Sequence, residues 1–346
     1  MTPKRFRSFL NGSHHLATPV FSMRDFWRRI AVACGALALL APVLSAQSVE
    51  PATLTTPTGV LSGSLQLPAG GGAPCPLVLI IAGSGPTDRN GNTGGMSAGP
   101  DAYRLLADSL AVHGIASLRY DKRGIGASAS AGGAERALRF EMAASDAAGW
   151  VLQARKDRRF SSIIILGHSE GSLLGMMAAG TAKPDGYVSV AGVARRADHI
   201  IHDQLAHQVP PPLLEQTDSV FASLVRGDTV PNTPVALAAL FRPSVQPYLI
   251  SRFRYSGATE IVKLTMPVLI VQGTHDLQVP MSEADLLAAA LPSAKVARIV
   301  GMNHVLKITP ASMAEQQRFY VDPGVPLAGE MVAAVTAFVQ GLPTRR

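Results

Sequence analysis

Two cysteines in 346 residues leave little for covalent bracing or metal binding. Cys34 falls in a segment expected to be removed, so Cys75 alone would remain in a mature chain. An intrachain disulfide is then excluded, as is any cysteine metal cluster, and the fold must rely on its apolar core. No His-Glu-x-x-His or comparable ligand spacing occurs, so no metal is expected. Neither Gly-x-x-x-x-Gly-Lys-Ser/Thr nor Gly-x-Gly-x-x-Gly follows a candidate strand, and no nucleotide or other cofactor is expected. There is no internal repeat, and Gly70-Gly71-Gly72 is the one low-complexity stretch.

A dense basic block is missing too, although the formal net charge is +7. Six of the 31 Lys and Arg, and one of the 24 Asp and Glu, lie in residues 1–46. Without them the chain carries 25 basic against 23 acidic residues, a formal +2, and nucleic acid is not expected as a partner. No apolar run reaches the roughly 20 residues of a membrane-spanning helix. The longest candidate, Ile30 to Leu44, follows Arg24, Arg28 and Arg29 and ends in Ser45-Ala46-Gln47, the order of a secretory signal peptide. The expectation is cleavage after Ala46, with cleavage after Ser45 and an uncleaved membrane anchor as alternatives. The mature protein would then be periplasmic or extracellular, without stable membrane insertion. Arg28-Arg29 matches a twin-arginine signal loosely, and the apolar stretch before Cys34 is too short for a lipoprotein. Met23 competes with Met1 as the start.

The 47% apolar content is ample for one sizeable core, expected over residues 47–346. Residues 53–67 alternate loosely around Pro57-Thr58-Gly59, which predicts an antiparallel hairpin at a sheet edge. Short apolar runs follow: Leu77 to Ala82, Ile115 to Tyr120, Ile163 to Leu166, Tyr187 to Ala191, Val268 to Gln272 and Val296 to Val300. Apolar on both faces, they suit parallel strands covered by helices, an α/β architecture. Helices are predicted over Asp101 to His113, stopping at Gly114, then Phe140 to Lys156, Ser172 to Gly180 and Gly329 to Gln340. Leu105, Leu106, Leu110 and Val112 would form the apolar face of the first. Residues 195–263, rich in scattered prolines, break the rhythm with almost seventy residues. An insertion of that size reads as a lid or cap, the alternative being a surface excursion without a role in access.

The chemistry centres on Gly167-His168-Ser169-Glu170-Gly171, between a predicted strand and a predicted helix. There a sharp turn exposes the Ser169 hydroxyl, and its neighbours must be glycine to avoid collision. An unassisted hydroxyl is almost never ionised at neutral pH, so it needs a base. His304, in Gly301-Met302-Asn303-His304 beyond the last predicted strand, is the candidate, against the plain alternative of a surface-loop histidine. His168, His199, His202, His207 and His275 compete by type but not by placement. Asp276, in Gly273-Thr274-His275-Asp276 at the end of the seventh strand, suits the acid that orients the imidazole; Asp198, after the sixth, is the rival. The backbone N–H groups of Ser84 and Glu170 are the candidate oxyanion donors.

Taken with the loop Gly83-Ser84-Gly85-Pro86-Thr87-Asp88-Arg89-Asn90-Gly91 and the segment Tyr120-Asp121-Lys122-Arg123-Gly124-Ile125-Gly126-Ala127-Ser128, these motifs resemble bacterial α/β-hydrolases. The similar groups are esterases and lysophospholipase-like or serine-aminopeptidase-like hydrolases, from about Thr53 to the C-terminus. The resemblance implies an α/β-hydrolase fold and a Ser-His-Asp triad acting on a small-molecule acyl substrate, most simply a carboxylic ester. Thioester or amide cleavage, and a non-catalytic binding protein of the same fold, are the alternatives. In that family the Asp121 to Ser128 turn is structural. Asp88 and Arg89 would either shape the pocket or hold the loop, with Asp88 pairing with Arg89 or Arg123.

Overall fold

The computed structural model describes residues 47–70, 74–94, 98–206 and 208–344. The leader expected over 1–46, with its signal peptide and Cys34, lies outside the described residues, as does His207.

Eight strands form one sheet: β1 (Ser48–Thr56), β2 (Gly59–Leu67), β3 (Cys75–Ile81), β4 (Ala116–Tyr120), β5 (Phe160–His168), β6 (Gly186–Val190), β7 (Val268–Gly273) and β8 (Lys295–Ile299). Their order is β1-β2-β4-β3-β5-β6-β7-β8. β1 and β2 are the hairpin read from the alternation around Pro57, and β2 meets β4 antiparallel. Every later pairing is parallel. From β3 the chain moves outward to β4, then crosses back to β5 on the other side. In such sheets ligands bind outside the carboxyl ends of the strands at that switch point.

The strands look uniformly apolar because both faces are covered. Leu77, Leu79 and Ile81 of β3, with Ile163 and Ile165 of β5, face one core layer. Val78 and Ile80, with Ile164 and Leu166, face the other. Burying each of these side chains is worth about 1.5–3 kcal/mol, and the two-residue period spreads that gain over both faces.

The second layer includes α1 (Ala102–Val112) and α11 (Gly329–Gln340), the latter ending where the sequence predicted. On α1, Ala102, Tyr103, Leu106, Ala107, Leu110 and Ala111 are buried. The stripe runs through 103, 106, 107 and 110, so Val112 falls off it and is 72% exposed, contrary to its expected inward position. Gly114, with φ 75°, turns the chain out of the helix in the left-handed region.

The first layer is filled by α2 (Phe140–Ala154) and α3 (Glu170–Ala182). α3 is apolar or small nearly all round, which fits its place between the sheet, α2 and a short helix, α8 (Gly257–Ile261). Between β7 and β8 lies α9 (Met281–Ala290), which the sequence reading did not single out, and after β8 comes the short α10 (Met313–Gln316). Residues 195–263 hold α4 (Ala197–Ala206), α5 (Pro211–Arg226), α6 (Ala238–Phe241), α7 (Gln246–Arg252) and α8. They carry an apolar cluster of their own, with Phe221 packed edge-on to Phe241 and Phe253. Among the described residues no helix is long and apolar enough to cross a membrane.

Candidate active site

β5 ends at His168 and α3 begins at Glu170, so Ser169 alone makes the turn, with φ 55° and ψ −122°. A non-glycine residue held there costs on the order of 1–3 kcal/mol. The strain is held in place by packing. A side chain at Gly167 would collide with the Gly171 carbonyl, and one at Gly171 with the Ile81 carbonyl of β3. The turn is further tied to β6 by the Ser169 N–H, which donates to the Val190 carbonyl at 2.9 Å.

Asp276 and His304 lie on the loops after β7 and β8, and His304 Nδ1 is 2.8 Å from Asp276 Oδ2. Asp276 Oδ1 accepts the backbone N–H groups of Gln278 and Val279 at 2.8 and 2.9 Å. Gln272 Nε2 donates to Oδ2 at 3.2 Å. Burial pushes the Asp276 carboxyl up. The His304 charge, the His304 hydrogen bond and the two backbone donors outweigh it and hold the group below its ordinary value. With Nδ1–H donating to the carboxylate, Nε2 is the His304 nitrogen left to accept a proton.

Asp198, the rival acid, sits in the first turn of α4 and is paired with Arg196 at 2.6 Å. His199 and His202 stand on that helix beside Asp198, Asp203 and Asp218. His275 Nδ1 is bonded to the Thr309 carbonyl at 2.6 Å.

His168 has a more specific position than its neighbourhood in the sequence suggests. Its ring lies 4.7 Å from the His304 ring, and its Nε2 is 2.9 Å from the His304 carbonyl oxygen. A carbonyl only accepts, so Nε2 carries the hydrogen, and Nδ1 accepts from the Tyr103 hydroxyl at 2.8 Å. That hydroxyl in turn accepts the Gly83 N–H at 3.1 Å. Burial first, and then the nearby His304, push the His168 pKa down to about 3. It is a neutral brace joining the loops after β3, β5 and β8.

Ser84 and Glu170 both line the cavity that contains Ser169. Lys122 Nζ donates to the Gly83 carbonyl and, at 3.4 Å, to Glu170 Oε1. In a trans peptide the carbonyl and the following N–H point in opposite directions, so fixing Gly83 O also fixes the Ser84 N–H. Arg252 Nη1 and the Tyr248 hydroxyl reach the Glu170 carboxylate at 3.0 and 3.1 Å. Burial raises the Glu170 carboxyl, but the charges of Arg252 and Lys122 and the hydrogen bonds of Tyr248 and Lys122 hold it below its ordinary value.

Sequence reasoning missed Lys122, Tyr103, Tyr248 and Arg252. Lys122 was hidden in a segment read as purely structural, and Arg252 and Tyr248 in an insertion without a motif. The structural reading holds for Asp121, which accepts from the Arg89 guanidinium at 2.7 Å and from the Ala127 N–H at 2.9 Å. Asp88 corrects an expectation, because it pairs with neither Arg89 nor Arg123. Its carboxylate caps its own loop through the N–H groups of Asn90 and Asn92 at 2.8 and 2.9 Å. Arg123 is held instead by Asp146 at 2.6 Å. Among the described residues no three His, Cys, Asp or Glu side chains are gathered as metal ligands.

Residues 94–242 match the family described as serine aminopeptidase, S33, a stretch that includes Ser169 and ends before Asp276 and His304. Esterase EstD of Thermotoga maritima is 28% identical over 254 residues, covering 71% of this chain and 58% of its own length. Among solved structures, the alpha/beta hydrolase GrgF from Penicillium superposes with a TM-score of 0.50 at 19% identity, covering 74% of this chain and 91% of GrgF. Est1E from Butyrivibrio proteoclasticus gives a TM-score of 0.54 at 18% identity, covering 84% of this chain and 97% of Est1E. The chain has the α/β-hydrolase fold. In this fold the strained serine, the buried His–Asp pair and the loop after β3 all meet at the carboxyl ends of the central strands.

Proposed function

We propose that this α/β-hydrolase cleaves carboxylic esters through an acyl-enzyme on Ser169. The observation that carries the reading is the buried pairing of His304 Nδ1 with Asp276 Oδ2, braced to the Ser169 turn through His168. Ser169 Oγ attacks the acyl carbonyl carbon while its proton passes to His304 Nε2. Asp276 stabilises the imidazolium, and the backbone N–H groups of Ser84 and Glu170 receive the oxyanion. The C–O bond to the alcohol then breaks, the alkoxide leaving with the proton from His304. Water, deprotonated by the same nitrogen, releases the acid and restores Ser169.

A fluorophosphonate probe tests this directly. It should label Ser169 in the folded protein and fail to label Ser169→Ala; absence of labelling in the folded wild type would overturn the reading. EstD, an esterase by name, supports the ester. The family match described as a serine aminopeptidase supports an amide as the second reading. Rates on p-nitrophenyl esters and aminoacyl p-nitroanilides decide between them.

Residues 195–263 would act as a cap over the cavity, whose lining includes Ile200, Ile201 and Leu205 on or beside α4 and Leu249 on α7. A chain-length dependence of kcat/KM that Leu249→Ala shifts would support this, and equal rates throughout would count against it. Export directed by residues 24–46 would leave Gln47 as the N-terminus of protein recovered outside the cytoplasm. Intact chain confined to the cytoplasm would exclude it.

A further inference from the structure

The cavity beside Ser169 has a volume of about 780 Å³, and its apolar wall runs past Met142, Ile201, Leu205 and Leu249. Its charges do not balance. Of the cations that line it, Arg123 is paired with Asp146 at 2.6 Å and Arg242 with Glu135. One carboxylate, Glu170, is left for two more cations, Arg252 at 3.0 Å and Lys122 at 3.4 Å. Both cations are only 9% exposed, so while Lys122 keeps its proton a surplus positive charge sits where water screens it poorly, and burial favours Lys122, not Arg252, giving one up.

Arg252 is also incompletely bonded. Its Nη1 meets Glu170, but its Nε is buried with no hydrogen-bond partner. A guanidinium cannot relieve such a site by losing its proton, unlike a lysine or histidine. At the mouth, Arg139 lines the same cavity and donates to the backbone carbonyls of Arg136 and Leu138. The chain thus brings cations to the cavity wall without matching carboxylates of its own.

We propose that Arg252, with Arg139 at the mouth, forms a subsite for a negatively charged group carried by the substrate. The preferred ester would be amphipathic, with an apolar chain along the Met142–Leu205 wall and a terminal carboxylate or phosphate that offsets the surplus charge. This rests on the assignment of Ser169 as nucleophile.

The test compares kcat/KM for three p-nitrophenyl esters of equal chain length: the neutral hexanoate, the adipate monoester, and the hexanoate bearing a terminal phosphate. A charge-assisted hydrogen bond predicts a preference for an anionic ester of roughly tenfold to a hundredfold. Arg252→Gln and Arg139→Gln should lower that preference, and added salt should erode it. Whichever anionic arm is favoured names the group. If Arg252→Gln does not fold, Arg139→Gln carries the test alone. Equal or better turnover of neutral hexanoate by the wild type, or a preference that survives the substitutions, overturns the subsite. Calorimetric binding of monomethyl adipate against methyl hexanoate to Ser169→Ala reads the subsite without any chemistry. Failure of probe labelling with selective adipate binding would therefore sink the nucleophile and spare the subsite.

Discussion

His168 Nε2 lies 2.9 Å from the backbone carbonyl of His304, so the residue before the proposed nucleophile holds the main chain of the proposed base. The bond spans 136 positions of sequence. It brings the loops after β5 and β8 into register, and the Tyr103 hydroxyl extends the brace to Gly83. Catalysis by a triad is sensitive to ångström-scale placement, and a buried, neutral, doubly bonded imidazole is a stiff way to secure it.

Replacing that brace should therefore affect both activity and stability. His168→Gln is expected to lower kcat by about tenfold or more through misplacement of His304. Urea denaturation at neutral pH should show a loss of about 1–3 kcal/mol, because the Tyr103 hydroxyl loses a buried partner.

The pH dependence of that loss has a definite sign. The His168 pKa falls from its ordinary 6.5 to about 3 on folding, so between those values the unfolded chain binds the extra proton. The brace's full contribution is present above the upper value and declines as pH falls toward the lower one. The stability gap between wild type and His168→Gln should accordingly narrow in acid. A gap that stays constant as pH falls through this window would show that His168 is not a buried neutral imidazole.

The two candidate acids separate cleanly. Asp276→Asn should reduce turnover by roughly 10⁴-fold, the magnitude seen in the best-studied triad, because the amide favours the wrong tautomer of the histidine. Asp198→Asn, which only loosens the pair with Arg196, should leave kcat within about twofold. Steady-state rates on a p-nitrophenyl ester check both, and the reverse ranking would move the acid to the first turn of α4.

Strain at the turn gives a prediction of opposite sign for stability and activity. Ser169 has φ 55° and ψ −122°, a conformation that glycine adopts far more readily. Ser169→Gly should abolish turnover and yet raise the unfolding free energy by about 1 kcal/mol. A protein destabilised by this change would show that the turn is not strained in the wild type.

Lys122 should act on kcat rather than KM. Removing its ammonium in Lys122→Met frees the Gly83 carbonyl and with it the Ser84 N–H. Loss of a whole oxyanion donor costs about 10²–10³-fold, so misalignment of one should cost less, about 10–100-fold. A change confined to KM would place Lys122 in ground-state binding instead.

What the sequence determined is local. The alternation around Pro57 specifies the hairpin, and the short runs apolar on both faces specify the parallel strands. The spacing Gly167-x-Ser169-x-Gly171 specifies the turn, because only glycine tolerates the Gly171 and Ile81 carbonyls that press on it. Asp276 and His304 were legible because each follows a recognisable strand. What only the tertiary structure decided is which distant groups share a space. Lys122 reaches Gly83, His168 reaches His304, and Arg252 and Tyr248 converge on Glu170 from an insertion that carries no motif. Each contact depends on the packing of loops from different strands, and no short-range period encodes the direction of a single long side chain. The charge of the cavity follows the same logic, since composition fixes how many cations there are and only folding decides which remain without a carboxylate.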